Sequence, residues 1–101
     1  MSEYRLLEPA AVELADAVAF YEGYTSRLGT AFLEEFDRAM ELITSMPEAW
    51  SQVDHEVRRF LLRRFPYSIF YSVEDELVIV LTVFHQHRNP NSWRKNSYSP
   101  K

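Results

Sequence analysis

Between Pro9 and Pro47 the apolar residues return every three or four positions in two consecutive runs, separated by only a few residues. In the first run Ala11, Leu14, Val18 and Tyr21 form one stripe, while Glu13, Asp16 and Glu22 take the opposite face until Gly23. The second carries Leu28, Phe32, Phe36, Ala39, Ile43 and Met46, with Glu34, Glu35, Asp37, Arg38 and Glu41 as its polar face; Thr25 or Ser26 is placed to cap it. Helices joined so closely must lie antiparallel as a hairpin. Their shared apolar side then needs another layer to cover it.

The rest of the chain supplies that layer. From Val57 onward β-branched and aromatic residues dominate, and three strands are expected: Val57 to Arg64, Tyr67 to Val73 and Leu77 to Phe84. Phe65-Pro66 and Glu74-Asp75-Glu76 separate them as turns, which predicts an antiparallel meander. The last strand is apolar on both faces, as a central strand should be. Tyr67 and Tyr71, four apart, should face one way, toward the helices. Tyr4-Arg5-Leu6-Leu7 reads as a short strand leading into a helix that Pro9 can begin. Residues 48 to 56 read as a loop, and His85 to Lys101 as a turn or short helix followed by a frayed end. The expected fold class is α+β: an N-terminal short strand and an α-helical hairpin packed on a largely antiparallel sheet of roughly three or four strands. One domain over residues 1–101 is expected at this length.

Composition narrows the function. With no cysteine there is no disulfide framework and no thiolate chemistry. His85 and His87 share a strand face, but His55 is remote from them, so three convergent metal ligands are not expected, nor any cofactor. Apolar runs such as Leu77 to Phe84 are too short to span a bilayer, and a cytoplasmic protein is expected. The net charge of -4 is unevenly spread: residues 1–50 carry 3 basic and 10 acidic side chains, residues 51–101 carry 8 and 5. An acidic whole argues against direct nucleic-acid binding and leaves a basic face on the second half.

Three stretches carry a family resemblance. They are Arg59-Phe60-Leu61-Leu62-Arg63-Arg64, then Phe65-Pro66-Tyr67 with Tyr71 four residues on, and then His85, His87, Arg88, Pro90 and Trp93 after the last strand. In this order, behind a helical hairpin, they resemble the ParE/RelE superfamily toxins of type II toxin–antitoxin systems, ParE branch, over residues 4 to 95. The resemblance implies a partner antitoxin, ParD-like, that is disordered until it wraps the toxin. It also implies one of two targets: DNA gyrase for ParE-like members, or messenger RNA in the ribosomal A site for RelE-like ones.

Cleaving RNA through its 2′-hydroxyl requires an acid–base pair and cations on the phosphorane. Ser68 stands where RNA-cleaving relatives carry an arginine, and Trp93 roughly where they carry a tyrosine. That substitution pattern favours gyrase. His85 as acid–base group with Arg63 and Arg88 on the phosphate is the alternative catalytic set, because histidine titrates near neutrality and arginine grips phosphate through two bonds. In the structural reading His85 only finishes its strand. A third alternative is a non-toxic member kept as a repressor partner. For antitoxin or target binding the candidates are Arg59, Arg63, His85, Arg88, Trp93 and Arg94, with Arg59 and Arg63 on one strand face. The same arginines could instead be solvated guards on an edge strand. Trp93 could simply close the core, and Trp50 reads as packing.

Overall fold

The computed structural model describes residues 3–87. Its elements run β1 (Tyr4–Leu6), α1 (Glu8–Tyr24), α2 (Leu28–Ser45), β2 (Ser51–Asp54), β3 (Val57–Leu61), β4 (Tyr67–Glu74) and β5 (Leu77–His85). The five strands form one sheet in the order β1-β5-β4-β3-β2. β2 through β5 are an antiparallel meander, and β1 joins the far side parallel to β5, with Tyr4 opposite Val78.

The α+β architecture follows the periodicity. Phe32, Phe36, Ala39, Met40 and Ile43 of α2 are buried with Ala10 and Ala17 of α1 against Ile69, Tyr71, Val78, Val80 and Val83 of the sheet. Tyr67 packs on the same cluster, so both tyrosines of β4 face the helices. The opposite face of β4 and β5 buries Phe70, Ile79, Leu81 and Phe84, which is why β5 is apolar on both sides. The two-residue turn Asp75-Glu76 takes φ of 51° and 67°. Positive φ at both positions matches the right-handed twist of the flanking strands.

Several local expectations are corrected. The inward stripe of α1 is Ala10, Leu14, Ala17, Val18 and Tyr21, whereas Ala11 is exposed. The segment expected as a loop contains β2, so the sheet has five strands and the arginine-bearing β3 is interior to an edge rather than the edge itself. Met46 is half exposed. Neither Thr25 nor Ser26 caps α2; its N-cap is Arg27 in the left-handed region at φ 72°, and no cap side chain bonds there. Glu22 on the preceding helix does the work instead. Its carboxylate accepts the N–H of Arg27 at 2.9 Å and that of Gly29 at 3.0 Å. The helices touch closely here, since a Cβ on Gly29 would lie 2.5 Å from the Val18 carbonyl oxygen.

The Arg27 N–H bond is the main cause that holds the Glu22 carboxyl below its ordinary 4.5, with burial opposing and the Gly29 and Thr30 N–H groups assisting. A depressed folded-state value means that this contribution is present above the unfolded pKa and is lost as pH falls through the folded one. Glu22→Gln keeps an acceptor but cannot titrate. Urea midpoints of the two proteins should therefore differ at neutral pH and converge in acid, and a gap independent of pH would refute this linkage.

Candidate functional site

On α2, Glu35, Arg38 and Leu42 follow at spacings of three and four and form a stripe beside the buried one. Between this stripe and β3 runs an open groove of about 670 Å³. Glu35, Arg38, Ala39 and Leu42 line one wall, and Arg59, Phe60 and Leu61 the other. Along β3, Phe60 turns to the helices, so Arg59 and Leu61 take the alternate positions, and Arg63 follows in the turn after the strand.

Both ends of the groove are fixed by hydrogen bonds. At one, Glu35 Oε2 accepts the backbone N–H of Arg63 at 2.6 Å and of Arg64 at 3.1 Å. This carboxylate holds the turn after β3 against α2, and Arg63 and Arg64 both border the groove. Arg64 also lies 5.4 Å from the centroid of the Phe65 ring. At the other end the Arg58 guanidinium donates to the Trp50 carbonyl at 2.7 Å, and Trp50 meets Phe60 edge-on at 4.7 Å. The Trp50 indole N–H is buried with no hydrogen-bond partner.

Nearby, the Tyr71 hydroxyl donates to the Pro47 carbonyl at 2.6 Å. Burial pushes this phenol up to about 12, with Arg58 opposing, so it acts as a neutral donor that ties the exit of α2 to the sheet.

The groove is basic and apolar together. Four arginines and one glutamate line it, on a chain whose net charge is -4. Leu42 is 44% exposed and Leu61 51% exposed. Large apolar side chains left in water beside unpaired cations mark a surface built to be covered.

A second cleft, of about 360 Å³, is lined by Glu13, Asp16, Ala17, Phe20, Tyr67, Val83 and His85. A bulge builds one wall of it: Tyr71 pairs with Val80 but Phe70 with Thr82, so Leu81 is an extra residue in β5. Glu13 Oε1 accepts the Thr82 hydroxyl at 2.7 Å and the Val83 N–H at 2.9 Å. His85 ends β5, packs edge-on to Tyr67 at 4.9 Å, and accepts the His87 N–H on Nδ1 at 3.1 Å.

Arg59 and Arg63 both border the groove, but the strand expected over Val57 to Arg64 ends at Leu61, so Arg63 lies in the following turn and strand alternation does not put the two on one face. His85 is not among that groove's walls, and its neighbours Glu13 and Asp16 are carboxylates that would repel a phosphate. Ser68 is buried in β4. Arg88, Trp93 and Arg94 lie outside the described residues. Among the described residues no group of three His, Cys, Asp or Glu side chains could hold a metal ion, and no helix is long and apolar enough to cross a membrane.

Sequence reasoning missed Glu13, Glu35 and Arg38, whereas Trp50, read as packing, does pack on the core beside Phe60. Glu13, Glu35 and Arg38 sat on the polar faces of their helices, where no spacing marks out a carboxylate that turns inward.

Three comparisons bear on this arrangement. The family model described as ParE toxin of type II toxin-antitoxin system, parDE, matches residues 4–90. Among solved structures, one described as the chromosomal ParDE TA system from P. aeruginosa is similar, with a TM-score of 0.60 at 16% identity, covering 84% of this chain and 96% of that one. At that identity the likeness speaks for the fold. No curated protein matches in sequence.

Proposed function

The chain belongs to the ParE toxin family of type II toxin–antitoxin systems, and from that membership we propose that it is a cytoplasmic toxin neutralised by a ParD-like antitoxin and inhibiting DNA gyrase when free. The observation that carries this reading is the family match over residues 4–90. The solved relative is described as a ParDE system, which fits a toxin kept with its antitoxin. In this reading Arg59 and Arg63 receive acidic residues of the antitoxin or target, and His85, Arg88, Trp93 and Arg94 are the further candidates for such contacts.

The physical chemistry agrees with a protein target. Messenger RNA cleavage needs cations around a proton-transfer group, whereas His85 shares its cleft with Glu13 and Asp16. A net charge of -4 also gives the chain no general attraction to polyphosphate.

A gyrase supercoiling assay tests the proposal, using protein freed of its antitoxin. Loss of supercoiling with protein-linked linear DNA is expected, relieved when antitoxin is added back. Full supercoiling alongside ribosome-dependent cleavage of messenger RNA would overturn the gyrase reading in favour of the RelE-like one. If folded protein neither inhibited gyrase nor cleaved RNA, this copy would be a non-toxic partner in repression.

A further inference from the structure

We infer that the acidic outward ridge of α1 docks in the α2–β3 groove of a second copy of this chain, so that free molecules associate head to tail. Both surfaces are read from their own charges and apolar side chains, independently of the toxin assignment.

α1 is apolar on more than its buried side. Glu8, Val12, Asp16, Phe20 and Tyr24 recur every four residues and so share one ridge along the helix. All five are exposed, with Val12 at 52%, Phe20 at 64% and Tyr24 at 78%. Apolar groups of this size left in water along a whole helix form a surface that another molecule can cover. Acids are interleaved with them: Glu8 and Asp16 are separated along the axis by about 12 Å, at about 1.5 Å per residue. No basic residue occurs anywhere in α1.

The groove is the converse surface. Arg38, Arg59, Arg63 and Arg64 border it, and Leu42 and Leu61 give it exposed apolar area. Its one acidic residue, Glu35, is already engaged by the Arg63 and Arg64 N–H groups. A ridge of Phe20 flanked by carboxylates therefore meets an apolar floor flanked by guanidinium groups. Symmetric pairings lack this match. Two α1 ridges would set carboxylates against carboxylates, and two grooves would set arginines against arginines, so like charge disfavours both.

The two surfaces occupy different sides of the fold. α1 lies over β5 and β1, whereas the groove lies beyond α2 at β3, and β4 separates β5 from β3 in the sheet. One copy can thus offer α1 to one neighbour and its groove to another. A heterologous contact of this kind has no two-fold axis and does not stop at two molecules.

The test uses the full chain purified alone. Its weight-average mass in sedimentation equilibrium should rise with concentration past that of a dimer, and should fall as salt is added, because the paired charges are exposed and screened. Asp16→Lys blocks the ridge, and Arg38→Gln with Arg63→Gln blocks the groove. Each should raise the concentration of half-association at least about tenfold. Mixed in equal amounts, the two proteins should form a 1:1 dimer and nothing larger, since only the intact ridge of one and the intact groove of the other can meet. Phe20→Ser and Leu42→Glu are second blocks of ridge and groove should the first variants fail to fold.

A monomer's mass at every concentration and salt would overturn this inference. So would self-association in which the mixed variants give no dimer, which would reveal a symmetric contact through one face. Association indifferent to salt and to both blocks would overturn it as well, by locating the contact elsewhere on the molecule.

Discussion

Phe32→Ala should lower the free energy of unfolding by about 3–5 kcal/mol, the cost of deleting a fully buried ring whose site cannot collapse. Phe32 has no exposed surface. It stacks on Tyr21 at 5.5 Å and meets Phe65 at 4.9 Å and Tyr67 at 5.1 Å edge-on, so it joins both helices to the turn that begins β4. These partners come from three separate elements, and no single movement fills the void. Against a total of about 5–15 kcal/mol for a domain of this size, the variant should be near the limit of folding. Urea denaturation followed by circular dichroism reads the effect, with a midpoint lowered by about 1–3 M. Phe32→Leu keeps most of the volume and should cost much less. Equal losses in the two variants would show that an interaction of the aromatic ring, rather than the cavity, dominates.

Glu13→Ala should cost about 2–4 kcal/mol through a different mechanism. One carboxylate oxygen serves the Thr82 hydroxyl and the Val83 N–H at the bulge of β5. Thr82 is fully buried. Removing the acceptor strands two donors where water cannot easily replace it, and each unsatisfied donor costs about 1–3 kcal/mol. Glu13→Gln retains a carbonyl oxygen and should recover most of the loss. If alanine and glutamine were equally mild, the bulge would be held by its ladder alone. Amide exchange at Val83 provides a local check, because it should accelerate in the alanine variant well before the rest of β5.

The two clusters of residues behind these predictions differ in how far they can be read from a sequence. The α2 stripe is legible because a helix lying on a sheet must repeat its apolar residues every three or four positions, and Phe32, Phe36, Ala39 and Ile43 do. β4 and β5 announce themselves by β-branched and aromatic density. β2 does not, since Ser51-Gln52-Val53-Asp54 joins the sheet through backbone pairing with β3 and has no apolar alternation to betray it. The cap of α2 is hidden for a similar reason: Glu22 reaches it from another helix, while local rules point to Thr25 and Ser26. Half of the groove was legible as well. The arginines of β3 and its following turn indicated a positive face, but their opposite wall comes from Arg38 and Leu42, some 20 residues earlier in the chain. Only the folded hairpin brings them across from one another, and no spacing rule spans that gap.

The parallel pairing of β1 with β5 sets the order in which this protein can come into being. Tyr4 and Val78 come from the first and the last strand of the sheet, yet they are neighbours. β5 lies between β1 and β4, so the emerging chain has no sheet into which β1 can fit until Leu77–His85 has left the ribosome. The hairpin of α1 and α2 can form early from local contacts, whereas closure of the sheet waits on the most distant ones. A truncated or stalled product would lack the strand that Glu13 anchors and both faces of the core rest upon. The sheet, and with it both faces of the core, therefore closes only once β5 is in place between β1 and β4.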